Sequence, residues 1–144
     1  CIRDSFKLIE GLEADDTIGI EATRHPDPSY IIVSPDKDMR QIPCVLWNMT
    51  DDVVEITEEE GDRWHLIQAL SGDPTDGYSG CPGIGVKRAT ELLNKNENQW
   101  EAVCKAYRDR GLSDDDALLN ARLAKILRNE NYDHDRNQPI LWNP

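Results

Sequence analysis

Seven carboxylates gathered in three short clusters constrain this chain more than any other feature: Glu13-Ala14-Asp15-Asp16, Asp36-Lys37-Asp38 and Asp73-Pro74-Thr75-Asp76. Each cluster lies where an apolar stretch gives way to polar residues, the place where a strand ends or a helix begins. Crowded, uncompensated carboxylates repel one another and push one or more toward protonation. A hard divalent cation removes that penalty, because magnesium and manganese prefer oxygen ligands. Seven ligands exceed what one magnesium ion takes while keeping its waters. They suit a pair of ions a few Å apart, an arrangement that hydrolyses phosphodiesters. Taken singly, each cluster reads equally well as helix caps and loop charges. The three in series, followed by a glycine-rich turn, favour the metal.

At 144 residues the chain can bury one modest core, or one core with a helical appendage. It has no apolar run of the ~18 residues a membrane helix needs and no signal-peptide pattern. The expectation is a soluble cytoplasmic protein with no membrane partner. Cys1, Cys44, Cys81 and Cys104 form no CxxC pair or zinc spacing, so they read as small apolar residues in a reducing compartment. The chain opens on Cys1 rather than Met, close to the first acidic cluster, and is expected to be a carboxyl-terminal fragment. A net charge of −12 opposes nucleic-acid binding, whose usual footprint is basic. Bound metal would offset part of it, and a local positive surface at Lys87 and Arg88, or one outside these residues, would offset more. On charge alone, an acidic protein that never meets DNA remains the better reading.

The order of elements predicts an α/β half and then a helical half. Ala14 to Thr23 has helical character, with Ile18 and Ala22 four apart. After a proline-rich turn at Pro26 and Pro28, the β-branched run Tyr30 to Ser34 reads as a buried parallel strand. Cys44 to Trp47 is a second strand and Val53 to Ile56 a third, at an edge. Thr57-Glu58-Glu59-Glu60 is a capping box, opening a helix with Trp64, Ile67 and Leu70 on one face. The predicted fold class is thus a doubly wound, mostly parallel sheet lacking its amino-terminal part, over residues 1–78. Ligands of such sheets bind at the carboxyl ends of the strands. Residues 79–144 form the helical region.

That region begins with Ser79-Gly80-Cys81-Pro82-Gly83-Ile84-Gly85-Val86-Lys87-Arg88. Gly83 and Gly85 permit a tight turn at positive φ and let a phosphate approach the backbone N–H groups of the helix running from Val86 to Leu93. Such a helix-hairpin-helix holds phosphate backbone without reading bases, with Gly83, Ile84, Gly85, Lys87 and Arg88 as the candidate DNA contacts. A plain helix cap with two solvated cations is the competing reading. Trp100, Val103, Cys104 and Tyr107 predict a further helix ending at Gly111. Ser113 caps the next, so Asp114, Asp115 and Asp116 are structural, in a first turn that favours negative charge. Leu119, Leu123, Ile126 and Leu127 give its expected buried face. The tail holds Ile140, Leu141 and Trp142 and is expected to dock on the core. His25, His65 and His134 stand apart from the carboxylates, and nothing supports catalysis by a nucleophilic side chain.

The order Glu13-Ala-Asp15-Asp16, Ser34-Pro-Asp36-Lys-Asp38, Gly72-Asp73-Pro-Thr-Asp76-Gly-Tyr78 and Gly83-Ile-Gly85 resembles the 5′ nuclease superfamily of flap endonucleases and 5′→3′ exonucleases. Trp64-His65 before the third cluster, and Ala124-Lys-Ile-Leu-Arg128 with Leu141-Trp142 near the end, look most like the short exonucleases of podovirus-type phages. The resemblance implies a metal-dependent hydrolase with a PIN-like α/β core and a helix-hairpin-helix, acting on duplex DNA at 5′ ends, nicks or flaps. It implies that Glu13 and Asp15 help hold a first Mg2+ or Mn2+, while Asp16, Asp36, Asp38, Asp73 and Asp76 hold or orient a second, some through water. It further implies a K+ bound by backbone carbonyls around Gly83 and Gly85. The family also carries upstream aspartates and a basic helical arch that have no match here, so this chain alone is expected to be inactive. A non-catalytic DNA-binding module with a structural magnesium site is the alternative from another class. An unrelated magnesium phosphatase fits less well, because Asp36-Lys37-Asp38 lacks the expected Thr or Gly context.

Overall fold

The computed structural model describes residues 7–25, 30–50 and 53–144, so the expected turn at Pro26 and Pro28 lies outside the described residues. The chain is a mixed α/β protein of two compact units, one of Cys1–Ile56 with Ile126–Ile140, the other of Thr57–Lys125 with Leu141–Pro144. The composition change near residues 78 and 79 falls inside the second unit.

In the first unit, helix α1 spans Ala14–Arg24, with Asp15 and Asp16 in its first turn, where the helix dipole favours negative charge. Strands β1 (Ile31–Val33), β2 (Cys44–Trp47) and β3 (Val54–Ile56) form one sheet in that order. β1 runs parallel to β2, with Ile32 opposite Leu46, and β3 runs antiparallel to β2, with Val45 opposite Glu55. Two expectations change here. β1 is an edge strand with Ile31 and Val33 half exposed, not a buried one. The β1–β2 connection is a 3-10 turn over Lys37–Gln41, because residues 34–43 are fewer than the dozen or so that an α-helical crossover takes. The three strands therefore do not display a doubly wound, mostly parallel order.

The core of this unit is Met39, Ile42, Leu46 and Ile126, with Ile18, Ala22 and Ile32 packed against it. Residues 126–129 are fixed by side chains from two other elements. Gln41 Oε1 accepts from Ile126 N–H at 3.0 Å, Asp16 Oδ1 from Leu127 N–H at 2.9 Å and Thr23 Oγ1 from Asn129 N–H at 2.8 Å. A Cβ on Gly19 would stand 2.2 Å from the Leu127 carbonyl oxygen, so α1 lies directly against this segment. Gln41→Ala leaves the buried Ile126 N–H without its acceptor, and should cost about 1–3 kcal/mol. A urea midpoint equal to that of the wild type would overturn this role.

The second unit packs helices α2 (Glu58–Ser71), α3 (Val86–Asn94), α4 (Gln99–Arg108) and α5 (Asp114–Ala124). The expected capping box opens α2: Glu60 N–H donates to Thr57 Oγ1 at 3.2 Å, and Thr57 N–H to Glu60 Oε2 at 2.8 Å. Leu66, Ile67 and Leu70 enter the core with Leu93, Val103 and Tyr107. His65 is buried too, with Nε2 2.7 Å from the Ala121 carbonyl, and the Tyr107 hydroxyl donates to the Ala69 carbonyl at 2.6 Å. The tail docks as expected through Trp142, whose ring meets His65 and Trp100 edge-on at 4.9 and 5.2 Å.

The buried face of α5 differs from the expected one. Ala117, Ala121 and Ala124 are buried, while Leu119 and Leu123 are each 56% exposed. The hydrogen bond from His65 to a backbone carbonyl of α5 brings α2 and α5 close, and that separation admits methyl groups but not leucines. Asp114 and Asp116 are structural as expected: Ser113 and Asp116 complete a capping box, and Arg108 meets Asp114 at 2.8 Å. Among the described residues, no helix is long and apolar enough to cross a membrane.

Candidate metal centre and hairpin

Five of the seven carboxylates belong to the first unit. Glu13 is the N-cap residue of α1 yet makes no side-chain capping bond, so its carboxylate is not used by the helix. Asp36 and Asp38 follow β1 at its carboxyl end, where Asp36 Oδ1 accepts from Asp38 N–H at 2.9 Å and caps the 3-10 turn. Lys37 Nζ lies 3.6 Å from Asp38 Oδ1.

The Asp15 carboxyl is pushed above its ordinary value, first by burial and then by the negative charges of Asp36, Asp38, Glu13 and Asp16. Residues more than twenty positions apart in sequence thus act on one carboxylate, and α1 and the β1–β2 connection bring them together. Asp16 is also raised, chiefly by burial, against the opposing hydrogen bond from Leu127 N–H. One of its oxygens therefore has a structural task that no sequence pattern announces.

Asp73 and Asp76 belong to the second unit, in a turn between α2 and α3. Asp73 and Tyr78 close the turn as an antiparallel bridge, with N–H to carbonyl distances of 2.9 and 3.2 Å. Asp73 Oδ1 also accepts from Thr75 N–H at 2.9 Å. Carboxylate oxygens of Asp73 and Asp76 lie within 4.8 Å of one another.

Glycines that the sequence reading passed over hold this turn. Gly72 and Gly80 have φ of +70° and +65°. A Cβ on Gly72 would stand 2.4 Å from the Ser79 carbonyl, and one on Gly80 would stand 2.3 Å from the Gly72 nitrogen. The backbone crosses itself there, and Gly80 N–H donates to Asn120 Oδ1 at 2.9 Å. The available signal was the flanking of Asp73-Pro-Thr-Asp76 by glycines on both sides.

At the second glycine-rich turn, Gly83 has φ of +72°, as the tight turn requires. Gly85 does not: its φ is −93°, and it serves as the N-cap of α3. The side chain of Ile84 is buried against the core rather than offered to a ligand. Lys87 and Arg88 are exposed in the first turn of α3. Hard oxygen donors crowded until they repel are the donor set that suits magnesium or manganese.

No family model matches the chain. It is 30% identical to the exodeoxyribonuclease of Enterobacteria phage T3 and 31% identical to the exonuclease of Escherichia phage T7, over the whole chain and 58% of each relative. It is also 33% identical, over 60% of its length and 34% of the relative, to a 5′-3′ exonuclease of Mycobacterium tuberculosis. The chain is thus similar along its whole length to phage exonucleases and over part of it to a bacterial 5′-3′ exonuclease. It spans somewhat under three fifths of the length of the phage relatives.

Proposed function

We propose that this chain is the metal-binding and DNA-holding part of a 5′→3′ exodeoxyribonuclease that hydrolyses phosphodiesters with two divalent ions. Similarity to the phage exonucleases along its whole length carries this reading, and the crowding of Glu13, Asp15, Asp16, Asp36 and Asp38 supports it. Glu13 and Asp15 bind the first Mg2+ or Mn2+. Asp36, Asp38, Asp73, Asp76 and the remaining oxygen of Asp16 bind or orient the second. Bound ions supply a nucleophilic water and stabilise the departing oxygen. The chain's own part is to hold carboxylates on rigid elements, α1 and the capped 3-10 turn, so that little reorganisation is needed at the moment of reaction.

The turn from Gly83 to Gly85 with Lys87 and Arg88 acts as a helix-hairpin-helix on the duplex backbone, with a K+ on its carbonyls, at 5′ ends, nicks or flaps. Hydrolysis at full rate needs residues beyond these 144. Cleavage of a 5′-labelled nicked duplex by the longer protein, with manganese or with chelator, tests the proposal beside this chain alone. Equal cleavage with chelator would exclude metal catalysis. Metal-tight but cleavage-free longer protein would favour a binding module.

Structure refines the hairpin test. Gly83→Val places a bulky residue at positive φ and should weaken duplex binding about tenfold or more, in line with ~1–3 kcal/mol of strain. Gly85→Ala, at an ordinary φ with open space around it, should bind nearly as wild type. Calorimetry with manganese should find both variants unchanged in metal binding. Equal loss of duplex affinity in both would remove the turn's conformation as the cause.

A further inference from the structure

A cavity of about 280 Å3 opens in the second unit between α3 and α4; Ile84 and Arg88 of the proposed hairpin reach its wall, and the rest of its lining has no part in the hairpin or metal site. Its walls carry Arg88 from α3, Lys105 from α4 and Arg110 from the turn after α4, against a single carboxylate, Asp109. Three cations facing one anion is the reverse of the chain as a whole, whose net charge is −12. In so acidic a protein, like charges gathered in one concavity repel, and a bound anion relieves the repulsion.

The three cations are not equally free. Arg110 is fixed in place: its Nε donates to the Pro82 carbonyl and its Nη1 to the Ala106 carbonyl at 2.9 Å. These bonds orient the guanidinium before any ligand arrives, and its Nη2 has no hydrogen bond among the described residues. Arg88 has no hydrogen-bond or ion-pair partner among the described residues. Lys105 is turned to Asp109 at 2.7 Å, an exposed pair of the kind worth ~1 kcal/mol or less, which a stronger anion can displace. Arg110 and Arg88 both act on the buried Cys81 thiol, opposing the upward push of burial, so the two guanidiniums converge on one region.

We infer that the groove between α3 and α4 is a phosphate-binding subsite, in which Arg88 and Arg110 hold the phosphate oxygens and Lys105 leaves Asp109 to join them. Planar guanidiniums suit phosphate because they offer paired donors in a fixed geometry. The phosphate belongs either to a duplex backbone already held at the hairpin or to a free mononucleotide. The duplex is the source the layout favours, because Arg88 lies on the helix that opens at Gly85 and Arg110 is bonded to Pro82 of the same turn. That choice of source rests on the DNA-binding reading above. The subsite itself does not.

Two measurements on the 144-residue chain test this. In the first, affinity for a nicked duplex is followed against salt. Arg88→Gln and Lys105→Gln should each flatten the slope of log affinity against log salt by about 0.9, one phosphate contact. Lys95→Gln, outside the groove, should leave it unchanged, and Asp109→Asn should tighten binding severalfold by freeing Lys105. In the second, inorganic phosphate and thymidine monophosphate are titrated while the Arg110 Nε–H resonance is observed by NMR. A saturable shift that Lys105→Gln weakens supports the subsite even if no duplex binds, and then assigns it to free phosphate and overturns the DNA reading alone. Duplex binding with slopes unaltered by Arg88→Gln and Lys105→Gln, together with an Arg110 resonance indifferent to phosphate, would overturn the subsite and leave the DNA reading standing.

Discussion

Asp15→Asn should raise the melting temperature of the metal-free chain and lower it, relative to wild type, in millimolar magnesium or manganese. The metal-free gain follows from the direction of the Asp15 shift. Burial and four neighbouring carboxylates hold its folded-state value above the ordinary one, and that net upward shift outweighs the favourable placing of a carboxylate in the first turn of α1. A group with a raised folded value binds its proton more tightly in the native state. Its contribution is complete below the unfolded value and is lost as pH rises through the folded one, so at neutral pH the ionised Asp15 is a net cost. Its partial exposure keeps the gain small, on the order of 1 kcal/mol or less, or a few degrees in melting temperature. With metal the sign reverses, because wild-type stability grows with the logarithm of metal over its dissociation constant and the variant has lost a ligand. In the longer protein the same substitution should cut hydrolysis ~100-fold or more, as for the loss of one preorganised electrostatic partner. Asp16→Ala offers the contrast, since it removes the acceptor of Leu127 N–H and should destabilise the fold with or without metal. Identical melting temperatures for wild type and Asp15→Asn under both conditions would end the metal assignment of Asp15.

Gly80→Ala should be the most damaging single methyl group in the second unit. Its Cβ would stand 2.3 Å from the Gly72 nitrogen and 2.6 Å from the Ser71 carbonyl carbon, at a φ of +65°. The atoms in the way are backbone, so neither strand of the crossing can yield without opening the turn that carries Asp73 and Asp76. Positive-φ strain of ~1–2 kcal/mol adds to an overpacking cost of ~1–3 kcal/mol. Gly77→Ala is the control: its φ of +81° is as unfavourable, but no atom lies within 4 Å of the added Cβ. It should lose only the conformational part. Urea midpoints separate the two, and equal losses would mean that the crossing tolerates a side chain.

Much of the second unit was legible because its signals are local. The Thr57–Glu60 and Ser113–Asp116 boxes are formed by residues three apart that find each other whatever surrounds them. The bounds of β2 and the start of α3 were readable for the same reason, and Asp114 and Asp116 declared themselves as helix-start residues rather than ligands. Periodicity was less decisive for α5. Leu119 and Leu123 repeat at the same helical spacing as Ala117, Ala121 and Ala124, so the sequence offers two faces and size alone points to the leucines. The approach of α2, fixed by His65 on the Ala121 carbonyl, selected the smaller ones.

The candidate site divides along the same line. Sequence by itself determined which residues are hard oxygen donors and which segments carry them, because a carboxylate's chemistry and the start of a helix are properties of a few adjacent residues. Only the tertiary structure decided how each is used. It set Asp36 and Asp38 against Asp15, tied one oxygen of Asp16 to Leu127, buried Ile84, and made Gly72 and Gly80 obligatory where Gly85 is not. Each of these outcomes depends on distances between atoms far apart along the chain. Those distances are fixed by which surfaces pack, and no short window of residues contains them.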